Sequence, residues 1–295
     1  MRLWVVVNPS SGHGDGQKRA PEAVQKLRDC GVELDVVVSQ RPQHVYELTH
    51  QFEPANYHGA VAVGGDGTLF ELINGLMRTH GRIPFPIGQI PVGTGNSLAR
   101  DLFPDSLNSA VEAICAGRTK PLDVIRYTTQ NSEAYFTNIM GVGFVSDINA
   151  RAFRFQWMGM TAYALATLLE IARPRFAHTR IWVDGAEVLN EPTLFAEICN
   201  SRYTGGNMLM APNAKIDDGL FDLVVCLPMK RLRLLRSFPK IFSGTHLELP
   251  EVRFFRGKRA RIETEPPKRL SPDGEVFDET PVELECLPGF VEVFA

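Results

Sequence analysis

The sequence predicts an α/β domain built on a parallel sheet, followed by a second domain of antiparallel strands. Two observations carry this expectation. Over residues 1–125 short apolar runs alternate with amphipathic stretches, the order of a parallel sheet covered by helices on both faces. After Pro121-Leu122-Asp123 strands dominate, joined by Gly, Asn and Pro turns. The expected domains are therefore 1–125 and 126–295, and 295 residues suffice for two cores.

Leu3 to Val7 reads as a buried strand, Gln17 to Asp29 as an amphipathic helix, Glu33 to Ser39 as a strand and Pro42 to Phe52 as a helix. The apolar run Ala60 to Val63 leads directly into Gly64-Gly65-Asp66-Gly67-Thr68 and a helix-like stretch from Leu69 to Met77. Ile87 to Val92 repeats the arrangement, running into Gly93-Thr94-Gly95-Asn96-Ser97 and a helical run from Leu98 to Leu102. Leu107 to Ala116 is a helix closed by Gly117. In the second domain Val124 to Thr128, Ala134 to Met140, Arg180 to Val183, Thr193 to Asn200, Gly219 to Cys226, Glu251 to Arg256 and Arg259 to Glu263 read as strands, with two helical interludes. This is the texture of an antiparallel β-sandwich or barrel. Pro281 to Leu287 and Phe290 to Phe294 read as further strands, the last of which could return to the first domain.

Net charge of −3 gives no reason to expect nucleic acid or an anionic surface as partner, so any such attraction must come from a local patch. Five scattered cysteines without a Cys-x-x-Cys pair suggest reduced thiols and a cytoplasmic setting. No run reaches 18 apolar residues, so no membrane span is expected.

The chemistry concentrates in loops that follow strands. Glycines let backbone amides crowd an anion, and a helix start adds the positive end of its dipole. Two such loops, at 64–68 and 93–97, point to one nucleotide site at the carboxyl ends of the strands. Asn8-Pro9-Ser10-Ser11-Gly12 is a third candidate of the same kind. Neither of the loops at 64–68 and 93–97 matches a Walker A or dinucleotide-binding fingerprint. Asp217-Asp218-Gly219 sets two carboxylates before a glycine, a donor type suited to a hard cation such as Mg²⁺. Asp273-Gly274-Glu275 offers a carboxylate on a turn, able to accept a proton from a hydroxyl. The seven histidines lack metal-ligand spacing, and no Gly-x-Ser-x-Gly elbow is present.

Five motifs in this order, Asn-Pro-x-Ser-Gly at 8–12, Gly-Gly-Asp-Gly-Thr-Leu at 64–69 with Asn74-Gly75, Gly-Thr-Gly-Asn at 93–96, Asp217-Asp218-Gly219 and Asp273-Gly274-Glu275, carry a resemblance over nearly the whole length. The chain resembles the diacylglycerol kinase catalytic family, in particular short bacterial lipid kinases that are also similar to sphingosine and ceramide kinases. The resemblance implies an N-terminal α/β domain similar to NAD kinase and phosphofructokinase, with a β-sandwich after it. It implies transfer of the γ-phosphate of ATP to a primary hydroxyl of a lipid such as diacylglycerol, with a sphingoid base or ceramide as alternative acceptors. On this resemblance Asn8, Pro9, Ser10, Ser11, Gly12, Ser39, Gly64, Gly65, Asp66, Gly67, Thr68, Leu69, Phe70 and Thr94 line the ATP site. Asp218 holds Mg²⁺ with the carbonyls of Lys215 and Leu220, Glu275 accepts the proton of the lipid hydroxyl, and Asp66 is a second essential carboxylate. Ser39, Phe70 and Ser97 stand where the family commonly has threonine, asparagine and aspartate.

A cytoplasmic lipid kinase must contact the inner face of the membrane peripherally. Met229 to Ser243, with Lys230, Arg231, Arg233, Arg236 and Lys240 among leucines and phenylalanines and no acid, suits either that role or a helix packed on the sandwich with a solvated basic face. Arg151 to Arg175, with Phe153, Phe155, Trp157, Met158 and Met160, is a second candidate. The rival readings are a kinase for a soluble acceptor, as in NAD kinases that share Gly-Gly-Asp-Gly, and a nucleotide sensor without catalysis. Oligomeric state is unconstrained.

Overall fold

A computed structural model of the chain describes residues 1–103, 107–155 and 161–295. It divides into two compact units, residues 1–123 with 289–295, and residues 124–288.

Unit 1 runs β1 (Arg2–Val7), α1 (Asp15–Asp29), β2 (Glu33–Val38), α2 (His44–Leu48), β3 (Gly59–Gly64), α3 (Asp66–His80), β4 (Ile87–Pro91), α4 (Ser97–Leu102) and α5 (Leu107–Ala116). The strands pair in parallel in the order β2-β1-β3-β4, with Val7 opposite Val38 and Val63, and Gly64 opposite Pro91. Every residue of β3 and β4 is buried, as helices on both faces of a parallel sheet require. Ala20, Ala23, Val24 and Leu27 turn one face of α1 onto Leu3, Val5 and Val7, while Lys18, Arg19 and Glu22 stay exposed.

Two sequence expectations need correction here. The helix expected from Leu69 begins at Asp66, so Asp66-Gly67-Thr68 is its first turn rather than a loop before it. The expectation of five reduced thiols also gives way, because Cys30 and Cys115 form a disulfide with their Cα atoms 5.9 Å apart. An 85-residue separation hid this pair; it forms because α1 and α5 share the core of unit 1.

Unit 2 takes up the chain within β5 (Thr119–Thr128) and continues with β6 (Glu133–Phe136), β7 (Ile139–Gly143), α6 (Phe144–Arg154), α7 (Thr161–Ala172), β8 (Ala177–Val183), β9 (Ala186–Thr193) and β10 (Phe195–Cys199). A ribbon of β11 (Tyr203–Thr204) and β12 (Met208–Leu209) follows, then β13 (Phe221–Cys226), α8 (Arg231–Ser237), β14 (Val252–Gly257), β15 (Arg259–Glu265), β16 (Arg269–Pro272), β17 (Phe277–Glu279) and β18 (Val282–Phe294). One antiparallel sheet is ordered β14-β13-β10-β7-β16-β17. A second set pairs β18 with β15, β15 with β8 and β8 with β9, while β5 joins β18 to β6. The first of these sheets packs Ile139, Phe195, Cys199, Val224 and Cys226 in one apolar cluster with Phe144, Ile148, Ala166, Ile171 and Leu234 from α6, α7 and α8.

The expected strand from Ala134 to Met140 is interrupted at Thr137-Asn138, giving β6 and β7. Strand β9 was not expected, although Asp184-Gly185 signals it: both residues have positive φ and close a two-residue hairpin from Val183 to Ala186. The two expected C-terminal strands are one, β18, whose last residues belong to unit 1. There Val293 pairs with Ile87 and Phe294 enters the core, while the Gly289 amide donates to Asp123 Oδ1 at 2.7 Å.

Candidate functional site

In unit 1 the register of β1, β3 and β4 sets the loops at 8–12, 64–68 and 92–97 side by side at the carboxyl ends of adjacent strands. The Asn8 amide donates to Val63 O at 3.0 Å, tying the first loop to β3. The Asn8 side chain donates to Thr68 Oγ1 at 3.1 Å and accepts from the Ser10 amide at 3.1 Å. Ser39, buried at the end of β2, donates its amide to Val7 O at 2.9 Å and so borders the same edge.

The second and third loops meet main chain to main chain. A Cβ on Gly93 would lie 2.5 Å from Gly65 Cα, so this approach requires glycine. Asn96, with φ of 48°, clamps the turn: its Oδ1 accepts from the Gly93 amide at 3.1 Å and its Nδ2 donates to Gly93 O at 2.6 Å. Asp66 bridges the same loops. Its Oδ2 accepts from the Ser97 amide at 2.9 Å, and its Oδ1 faces Gln89 Nε2 at 3.4 Å. Burial pushes the Asp66 carboxyl above the usual carboxylate range, opposed by these hydrogen bonds. In the sequence Gln89 is marked only as the lone polar side chain in the apolar strand Ile87 to Val92.

Gly64, Gly65, Gly67 and Thr68 form the entry to α3, and Thr94 is exposed in the third loop. Pro9, Ser11 and Gly12 are half-buried and Ser10 exposed. Leu69 and Phe70 bury their side chains in the core, which leaves a ligand only their main chain. Amides from these turns and the start of α3 are suited to an anion with several oxygens, such as a polyphosphate.

Unit 2 presents two further loops. In the first, Asp218 Oδ1 accepts from the Leu220 amide at 3.1 Å, and its Oδ2 lies 3.8 Å from Arg256 Nη1. Arg256 is itself held by Asp222 at 2.6 Å. Among the described residues no three His, Cys, Asp or Glu side chains gather around a metal position. The Asp218 carboxylate is a donor of the type suited to a hard cation such as Mg²⁺.

In the second loop, Asp273 and Gly274 have φ of 47° and 89°, and the Glu275 amide donates to Pro272 O at 2.9 Å. The Glu275 side chain is open to solvent but surrounded by enough protein that desolvation raises its pKa above the ordinary glutamate value. Asp273 is buried and serves as the anchor. Its Oδ1 accepts from the Asn138 and Ile139 amides at 3.0 and 3.2 Å, and its Oδ2 from the Thr137 amide at 3.1 Å. The Asn200 side chain extends this cluster by donating to Thr137 O at 2.8 Å. In the sequence Asp273 stands out only as part of the Asp-Gly-Glu turn, and no motif marks Thr137, Asn138 or Asn200.

Comparison with known proteins bears directly on this arrangement. Residues 2–127 match the diacylglycerol kinase catalytic domain, and residues 138–295 match the YegS C-terminal NAD kinase beta sandwich-like domain. A protein named diacylglycerol kinase from Mycobacterium tuberculosis (strain ATCC 25618 / H37Rv) is 33% identical, over 99% of this chain and 94% of its own. The chain belongs to the diacylglycerol kinase catalytic family. It is a lipid kinase with a diacylglycerol kinase-like catalytic domain, as the resemblance implied. Sphingosine kinase 1 from Arabidopsis thaliana is 28% identical over 94% of this chain and 68% of its own. The crystal structure of a diacylglycerol kinase from Bacillus anthracis str. Sterne superposes with a TM-score of 0.74 at 22% identity, covering 99% and 96% of the two chains, and supports the fold. The catalytic-domain match spans all three loops of unit 1, and the C-terminal match spans those at 215–220 and 273–275.

Among the described residues no helix is long and apolar enough to cross a membrane. The segment at 229–243 is α8 followed by a 3-10 helix from Phe238 to Ser243. It leaves Leu232, Leu235 and Phe242 59%, 45% and 51% exposed. In the second lipid-contact candidate, Trp157, Met158 and Met160 lie outside the described residues.

Proposed function

We propose that the protein transfers the γ-phosphate of ATP to a primary hydroxyl of a lipid such as diacylglycerol. The observation that carries this reading is the joining of three small-residue loops by Asn8, Asp66 and the Gly65–Gly93 approach at the strand ends of a diacylglycerol kinase-type domain. Asn8 to Gly12, Ser39, Gly64 to Phe70 and Thr94 bind the nucleotide, with main-chain amides of the Gly-Asp-Gly-Thr turn on its phosphates. Asp66, fixed by the Ser97 amide, orients that turn. Preorganised donors of this kind stabilise charge on a transferring phosphoryl group without having to reorient during the reaction.

Glu275 accepts the proton of the attacking hydroxyl. Its raised pKa brings the carboxylate closer in basicity to the working pH, which favours general-base catalysis. Asp218 with the carbonyls of Lys215 and Leu220 would hold Mg²⁺, which when bound neutralises negative charge around the site. A sphingoid base or ceramide is the second acceptor class, favoured by the similarity to Arabidopsis sphingosine kinase 1.

The lipid is reached by peripheral contact at the inner face of the membrane. Leu232, Leu235 and Phe242 insert between headgroups, and Lys230, Arg231, Arg236 and Lys240 contact anionic lipid. Paired Leu232→Glu and Leu235→Glu changes are expected to cut sedimentation with phosphatidylglycerol vesicles at least ~10-fold. Activity on a short-chain soluble acceptor should stay intact; undiminished sedimentation would exclude this surface.

Glu275→Gln tests the chemical assignment. Turnover should fall by ~10²–10⁴-fold with ATP affinity unchanged, and the acid limb of the wild-type kcat profile should lie above the ordinary carboxylate range. Unimpaired turnover would remove Glu275 from the role.

A further inference from the structure

Strand β10 carries a carboxyl into an apolar cavity of unit 2. Alternation along the strand directs Phe195, Glu197 and Cys199 to one face, the face that packs against α6, α7 and α8. The cavity there is walled by Phe144 and Ile148 of α6, Met208 and Met210 around β12, Met229, and Leu234 of α8. Glu197 lines it, is 1% exposed, and has no hydrogen-bond partner for Oε2 among the described residues. Its strand neighbours, Gly141 on β7 and Val224 on β13, bring no polar side chain.

A buried carboxyl with an unpartnered oxygen is destabilising when neutral, and far more so when ionised. Burial accordingly pushes Glu197 up to about 8, so near neutral pH it is mainly the acid, with an O–H to donate. The side chain is therefore a feature in want of a partner, and a ligand that brings an acceptor oxygen into the cavity supplies one. Three methionines in the wall give it the adaptability to admit an apolar chain.

We propose that Glu197 is a specificity-determining residue that donates a hydrogen bond to the carbonyl oxygen of an ester- or amide-linked acyl chain when the apolar body of the lipid enters this cavity. The proposal rests on the lipid-kinase reading above and deepens it by naming what the substrate must carry: a carbonyl near the chain, not a hydrocarbon alone. Sites built around a buried hydrogen-bonding group reject analogues lacking its partner more strongly than apolar pockets discriminate by size.

The test measures binding without turnover. Dioctanoylglycerol and its dioctyl ether analogue, which lacks both carbonyls, are titrated calorimetrically into the full-length wild type, Glu197→Leu and Glu197→Gln, without ATP. Wild type should bind the ester at least ~10-fold more tightly than the ether. Glu197→Leu should bring the ratio within about twofold by removing the donor, and Glu197→Gln should retain most of it through its amide N–H. Difference infrared spectra of wild type should show a protonated-carboxyl band, absent from Glu197→Gln, that shifts with the ester and not with the ether. This readout does not depend on the leucine variant folding. An equal ratio in wild type, an undiminished ratio in Glu197→Leu, or an unmoved band would overturn the assignment. Phosphoryl transfer is assayed separately with the same two lipids. Ester preference without transfer would refute the kinase reaction alone, and transfer without ester preference would refute the role of Glu197 alone.

Discussion

The nucleotide-type loops of unit 1 and the Glu275 loop of unit 2 are held in place by contrasting means. In unit 1 each loop grows directly from a strand of one parallel sheet, and the loops fasten to one another through a glycine contact and the short side chains of Asn8 and Asp66. In unit 2 Glu275 stands on a tight turn whose anchor, Asp273, grips amides 134 to 136 residues away in sequence. The first arrangement is written in contiguous motifs. The second depends on a clamp that exists only once the β-rich unit has folded, so its failure should damage chemistry while sparing nucleotide affinity.

Breaking the clamp should have the largest effect. Asp273→Ala strips the acceptor from three buried amides, at a cost of roughly 3 kcal/mol and a lower Tm. Turnover should fall with ATP affinity within about twofold of wild type, because Asp273 and its partners all lie in unit 2. Calorimetric melting together with ATP titration separates the two outcomes; a loss of ATP affinity as large as the loss of turnover would erase the contrast between the units.

Gly93→Ala reverses the comparison. The new methyl meets the main chain of Gly65, which cannot yield like a flexible side chain, so the two loops must separate. ATP dissociation constants should rise by ~10-fold or more while binding of dioctanoylglycerol stays unchanged. Normal ATP affinity in this variant would deny the loops their shared role.

The smallest expected effect concerns Glu197 and pH. Its folded pKa of about 8 exceeds the ordinary glutamate value near 4.5, so the folded state holds the proton more tightly than the unfolded chain. This contribution to stability is fully present below pH ~4.5 and is lost as pH rises toward about 8. The Tm of Glu197→Gln relative to wild type should therefore climb by a few °C between pH 5 and pH 8. A difference that stays constant with pH would contradict the buried, neutral state.

What could be read in the sequence follows the same division. The strand-loop-helix units of residues 1–125, with their Gly-Gly-Asp-Gly-Thr and Gly-Thr-Gly-Asn loops, were legible because sequence neighbours make the geometry. The Cys30–Cys115 pair was not, since packing of α1 on α5 creates it. Asp273 was seen as a turn residue, but its grip on Thr137 to Ile139 depends on β16 pairing with β7. Glu197 left a visible trace, one carboxylate inside Leu194 to Cys199, whose meaning depends on the face it occupies.

Lipid phosphorylation is tested most directly by transfer of labelled γ-phosphate from ATP, with Mg²⁺, to a panel of lipid alcohols in mixed micelles beside NAD as a soluble acceptor. Label is expected on diacylglycerol or another single lipid class, abolished by Glu275→Gln, with none on NAD. Label on NAD alone, or ATP binding with no transfer to any lipid, would contradict it.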